Sequence, residues 1–161
     1  MKQAWLGLGS NVGDRLGNLR SAVARLNATE GIRLEAASAV YETEPVGEVP
    51  DQRDFLNAVA QVETALAPLE LLDACKAVER ELGRVEGPRH GPRPIDVDLL
   101  LMEDTELESE RLRLPHPEVT SRRFVLVPLL DVDPPGADAL RAALQGLAPG
   151  QRVERVGTLI P

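Results

Sequence analysis

Three features of this 161-residue chain predict an α+β fold. Apolar residues alternate with period two in some segments and recur at helical spacing in others. These segments follow one another as strand, helix, strand, strand, helix, strand. Breaks rich in glycine, proline or charge separate them. That order is the ferredoxin-like β-α-β-β-α-β arrangement, an antiparallel sheet with both helices on one face. Additional C-terminal helices are expected to cover the second face. The length suits a single domain, 1–161.

Each element has its own signal. Residues 2–8 (KQAWLGL) read as a short strand ending in glycine. Leu16, Leu19, Val23 and Leu26 lie at spacings of 3, 4 and 3, one face of a helix over 15–28. Leu34, Ala36, Ser38 and Val40 alternate as a strand over 33–43, and FLNAVAQVET (55–64) alternates again. Pro68 and Glu70 open a helix that Gly83 is placed to stop. Residues 95–102 form the last core strand, with Ile95, Val97, Leu99 and Leu101 on its buried face. Residues 106–114 read as an extended segment or hairpin. Residues 122–131 and 137–147 read as two helices, with Pro128 counting against the first. Two irregular segments, 44–54 and 83–94, carry the prolines and glycines typical of ligand-contacting loops.

Composition narrows the function. Only four residues are Phe, Trp or Tyr, so the core must be mostly Leu, Val and Ala. A net charge of -8 argues against nucleic acid or an anionic membrane as partner. No apolar run reaches the roughly 20 residues of a membrane span. The apolar part of MKQAWLGLGSN is too short for a signal peptide, so a cytoplasmic location is expected. The lone Cys75 lies on the helical line Leu71, Cys75, Val78, Leu82 and reads as a buried thiol. Seven of the 18 basic residues fall between Arg84 and Arg123, and all seven are arginine. Arginine forks match phosphate oxygens, but arginine is also this chain's habitual basic residue, so a phosphate site and solvated surface arginines both remain open.

The segment 89-RHGPRPIDVDLLLM-102 carries the most chemistry. Asp96 and Asp98 project from the same strand face, about 6.6 Å apart by the standard rise. Two convergent carboxylates need a cation or arginines to neutralise them. Magnesium takes one or two carboxylates and completes its shell with phosphate and water oxygens. Arg89 and Arg93, on the loop before this strand, are placed to hold further phosphate oxygens. The alternative is a solvent-facing strand surface with the aspartates paired to those arginines; the arginine-bearing loop favours the metal. GLGSNVGDRLGNL (7–19) lacks both the dinucleotide fingerprint and the P-loop ending, and reads as a tight turn capped by Ser10, Asn11 or Asp14. His116, between Pro115 and Pro117, is either structural or a ligand contact on a rigid segment. Phe55 and Phe124 either fill the core or grip a flat ligand, with Asn57 supplying directional hydrogen bonds.

Together LGLGSNVGDRLGNL, YETEPVG, DFLNAV, PLELLDACKAVERELGR, GPRPIDVDLLL, LPHP and RRFVLVPL resemble the 6-hydroxymethyl-7,8-dihydropterin pyrophosphokinase family. The resemblance implies transfer of pyrophosphate from ATP to the hydroxymethyl group of a reduced pterin, releasing AMP, in folate biosynthesis. It implies two magnesium ions held by Asp96 and Asp98, with Arg89 and Arg93 on the phosphates. It places Arg84, Arg111, His116 and Arg122 near the nucleotide and Glu79 at the edge of its site. It places the pterin between Phe55 and Phe124, read by Asn57 and by backbone around Thr43, Pro45 and Val46. Glu86 departs from a basic residue of some members, His90 from an aromatic one, and Phe55 lacks a hydroxyl found in others. A monomer is expected. Two other readings stay in view: a two-metal transferase with a different acceptor, and a regulatory ligand-binding module on the same fold.

Overall fold

The computed structural model describes residues 1–45, 52–83, 93–147 and 152–160. Its core follows the expected order: β1 (Lys2–Ser10), α1 (Arg15–Ala28), β2 (Ile32–Ala37), β3 (Ala39–Thr43), β4 (Phe55–Thr64), α2 (Pro68–Glu81) and β5 (Asp96–Met102). A two-stranded hairpin, β6 (Leu107–Glu108) and β7 (Arg113–Leu114), follows. Then come α3 (Arg123–Leu130), α4 (Ala137–Gly146) and a final strand, β8 (Val153–Thr158). The main sheet runs β5-β1-β4-β3-β8, with β2 also on β4, and every pairing is antiparallel.

The sheet separates two apolar layers. Leu19, Ala22, Val23 and Leu26 of α1 and Leu71, Leu72, Cys75 and Val78 of α2 pack against one face. Leu126 and Leu129 of α3 and Leu140 of α4 pack with Trp5, Val59 and Leu100 on the other. The C-terminal helices therefore cover the second face, as the sequence predicts. Burial removes the Cys75 thiol from water and pushes its pKa up to about 12, with the Glu79 and Asp98 carboxylates adding to the effect.

The sequence reading has no counterpart to β8 and differs in three further details, each for a local reason, while the expected helix over 122–131 forms despite its proline. The strand expected over 33–43 is broken at Ser38. The Ser38 hydroxyl accepts from the Val59 N–H at 2.8 Å, replacing a ladder partner, and β2 and β3 both pair with β4. In β5 the register shifts at Leu100: Leu6 faces Leu99 but Trp5 faces Leu101. That bulge turns Leu101 into the second layer with Leu100, away from Ile95, Val97 and Leu99 in the first. Pro128 sits inside α3 near its end, where its missing N–H costs only the bond to residue 124. Finally, β1 continues to Ser10, so Gly7 and Gly9 lie within the strand rather than in the turn after it. The capping expectation there holds: Asp14 accepts from the Gly17 N–H at 3.0 Å and opens α1.

Candidate active site

A cleft of about 300 Å³ opens over the end of the sheet where β1, β4 and β5 lie side by side. The pairing register explains what it gathers. Gly9 of β1 faces Asp96 on one side and Asn57 on the other; Gly7 faces Asp98 and Val59. The glycines make the floor. A Cβ on Gly9 would come within 2.8 Å of Asn57 Oδ1, and one on Gly7 within 3.3 Å of Leu100 Cδ1. Across this floor the carboxylate strand and the Asn57 strand are two sheet spacings apart, roughly 10 Å.

One end of the cleft is charged. Asp96 and Asp98 both line it, and their opposite-facing neighbour Val97 is fully buried. Arg93 is largely buried, with Nε 3.9 Å from Asp96 Oδ1. Its backbone is held by buried Asn11: the Arg93 N–H donates to Asn11 Oδ1 at 2.7 Å, and the Asn11 N–H to the Arg93 carbonyl at 2.9 Å. The Asn11 amide also donates to Gln52 Oε1 and the Arg53 carbonyl, tying the ends of both irregular segments together. Asp96 and Asp98 offer only hard oxygen donors, the set suited to magnesium rather than to a soft metal. Among the described residues no group of three or more His, Cys, Asp or Glu side chains could hold a metal.

The other end is aromatic. Phe55 and Phe124 line it with Asn57 and Thr43. The Asn57 amide nitrogen donates to Thr43 Oγ1 at 2.6 Å, which fixes the plane of the amide. Arg122 pairs with Glu118 at 2.9 Å and lies 5.5 Å from the centre of the Phe124 ring, a cation–π distance.

His116 bridges the rim. Its backbone N–H donates to the Leu100 carbonyl at 2.8 Å, and its ring Nδ1 accepts from the Glu118 N–H at 3.1 Å. The neutral ring therefore carries its proton on Nε2. Burial lowers the His116 pKa below its ordinary value; Glu118 opposes that shift and Arg122 reinforces it.

The cleft thus brings together Thr43, Phe55, Asn57, Arg93, Asp96, Asp98, His116, Arg122 and Phe124. Pro45 is not among its lining residues. Glu79 is buried beside it, accepting from the Val97 N–H at 2.8 Å. Arg111 lies outside the lining and pairs with Asp73 of α2. Arg84, Arg89 and Val46, with Glu86 and His90, fall outside the described residues. Sequence reasoning passed over Lys76, Glu118 and Val125, which also line the cleft. Lys76 had a signal: it stands one turn before Glu79 on α2, and the two pair at 3.3 Å.

Comparison with known proteins agrees with this architecture. The family model for 7,8-dihydro-6-hydroxymethylpterin-pyrophosphokinase (HPPK) matches residues 5–134. The 2-amino-4-hydroxy-6-hydroxymethyldihydropteridine pyrophosphokinase of Methylorubrum extorquens is 48% identical over 159 residues, covering 97% of this chain and 99% of that protein. The Bacillus subtilis protein of the same name is 44% identical over 129 residues, covering 80% and 77%. A Plasmodium falciparum HPPK-DHPS structure with pterin and p-hydroxybenzoate superposes with a TM-score of 0.66 at 17% identity. That match covers 89% of this chain and 42% of the other, and at such identity it speaks for the fold alone. This chain belongs to the 7,8-dihydro-6-hydroxymethylpterin-pyrophosphokinase family.

Proposed function

We propose that this chain transfers the pyrophosphoryl group of ATP to the hydroxymethyl oxygen of 6-hydroxymethyl-7,8-dihydropterin, giving AMP and the pterin diphosphate, a step of folate biosynthesis. The observation that carries the reading is the cleft itself: an aromatic end and a carboxylate–arginine end share one glycine floor. A flat heterocycle fits between Phe55 and Phe124, where stacking fixes its plane and Asn57 reads its edge. Thr43 lines that end, and Pro45 and Val46 are assigned to the pterin as further contacts. The hydroxymethyl arm then points along the floor toward Asp96 and Asp98.

Asp96 and Asp98 are the residues that would hold two magnesium ions, which supply charge neutralisation to a triphosphate when bound. Arg93, with Arg89 and Arg84 from the neighbouring segment, contacts phosphate oxygens as the negative charge shifts during transfer. His116 donates from Nε2, and Arg122 and Arg111 are assigned to the nucleotide. Glu79 acts from the edge of its site. In the reaction the pterin oxygen bonds to the β-phosphorus as its bond to the bridging oxygen of the α-phosphate breaks. No residue of the cleft is assigned as general base: the hydroxyl proton is lost as the new bond to phosphorus forms, with Asp96 or Asp98 as the candidate acceptor, and AMP departs.

The chain acts as one domain, 1–161, and as a cytoplasmic monomer without nucleic acid or membrane partners. The net charge of -8 supports the lack of a polyanionic partner. Among the described residues no helix is long and apolar enough to cross a membrane. The test is product analysis after incubation with ATP, magnesium and the hydroxymethyl pterin. AMP and pterin diphosphate in equal amounts are expected. Release of pyrophosphate, or binding without turnover, would overturn the reading.

A further inference from the structure

We infer that Arg152, at the entry to β8, is a positioning residue for the pterin end of the cleft. The inference rests on the assignment of Thr43, Phe55 and Asn57 to the pterin. Arg152 lies beyond the residues that the family model matches, 5–134. It nevertheless touches the residues flanking two cleft positions. Its backbone N–H donates to Glu44 Oε1 at 2.9 Å, directly after Thr43. Its guanidinium pairs with Asp54, directly before Phe55. The same guanidinium lies 3.9 Å from Glu42 Oε1 and 3.3 Å from Glu154 Oε2.

The local charges explain why a cation is needed there. Glu42 and Glu154 face each other in the β3–β8 register, and like charges in that position repel. Arg152 lies against both. A second arginine, Arg15 of α1, completes the cluster: Nη1 meets Glu42 Oε2 at 2.8 Å and the Asp54 carbonyl at 2.9 Å. Two arginines thus hold the end of β3 to the start of β4. Thr43 and Phe55 are direct partners at that point of the ladder. Single exposed ion pairs add little stability. The consequence of this cluster is therefore positional: it sets the spacing of Thr43 and Phe55, and through Thr43 the plane of the Asn57 amide. The carboxylate end lies across the sheet on β5, with β1 and β4 between it and β3.

The test is separate titration of the reduced pterin and of ATP with magnesium against the full chain and its Arg152→Gln and Arg152→Lys variants. Arg152→Gln is expected to weaken pterin binding roughly tenfold while ATP binding stays within about twofold. Arg152→Lys restores part of the pterin affinity. Asp54→Asn, which removes the opposite partner, is expected to follow Arg152→Gln and serves if that variant does not fold. Unchanged pterin affinity in both, or equal losses for pterin and ATP, would overturn the inference. A wild-type chain that binds ATP but no pterin would instead bring down the functional reading on which it rests.

Discussion

The carboxylate of Glu79 accepts a hydrogen bond from the backbone N–H of Val97 at 2.8 Å. Val97 lies between Asp96 and Asp98 on β5, and β5 is the outer strand of the sheet. Among the described residues its N–H finds no partner on an outer strand, and a side chain from α2 supplies the acceptor. Glu79 itself is buried and pairs with Lys76 at 3.3 Å. A helix residue thus fixes the strand from which both aspartates project.

Glu79→Ala should leave the Val97 N–H buried without that acceptor and destabilise the fold by about 1–3 kcal/mol. Glu79→Gln keeps an acceptor oxygen and should lose less than half of that. Urea unfolding of the two variants checks the difference. Equal losses would mean that the hydrogen bond to Val97 is not what Glu79 contributes.

Gly9→Ala should damage pterin binding selectively. Its Cβ would sit 2.8 Å from Asn57 Oδ1, and the Asn57 amide is not free to swing because Thr43 holds its nitrogen. Either Asn57 turns or the strands part. The KM for pterin should rise by roughly tenfold or more, with the KM for ATP much less changed. A Gly9→Ala enzyme with ordinary pterin kinetics would show that Asn57 does not read the ring.

His116 should make the fold sensitive to mild acid. Its folded pKa lies below 6.5, so the unfolded chain binds the proton more readily. The stability it contributes is complete above about pH 6.5 and is lost as pH falls through the lower folded value. Protonation also removes the Nδ1 lone pair that accepts from the Glu118 N–H. Wild type should lose more stability than His116→Asn between about pH 7 and about pH 5. Parallel curves would contradict this.

Much of this architecture is legible in the sequence because the core elements are strongly periodic. Leu19, Val23 and Leu26 mark α1, and Asp96 and Asp98 leave a strand whose alternate residues are buried. What escaped was set by register or by distant packing. Strand β8 is almost wholly exposed, so VERVGT carries no apolar alternation to reveal it. Its place comes from pairing with β3. The bulge at Leu100 inverts Leu101 in a run that is apolar on both faces, where alternation gives no warning. Gly7 and Gly9 look like turn glycines until their strand partners are known. Lys76 reads as an ordinary helix-surface residue, and only the packing of α2 beside β5 brings it to the cleft.

The most direct test of the central claim measures AMP formation and pterin binding together in Asp96→Asn and Asp98→Asn. Both side chains leave the buried face of β5, so the fold should survive the exchange. Turnover should fall by roughly a thousandfold or more, since charge neutralisation at the phosphates is lost. Pterin binding should persist, because the ring end lies two strands away. Near-normal AMP formation with magnesium in either variant would contradict the account.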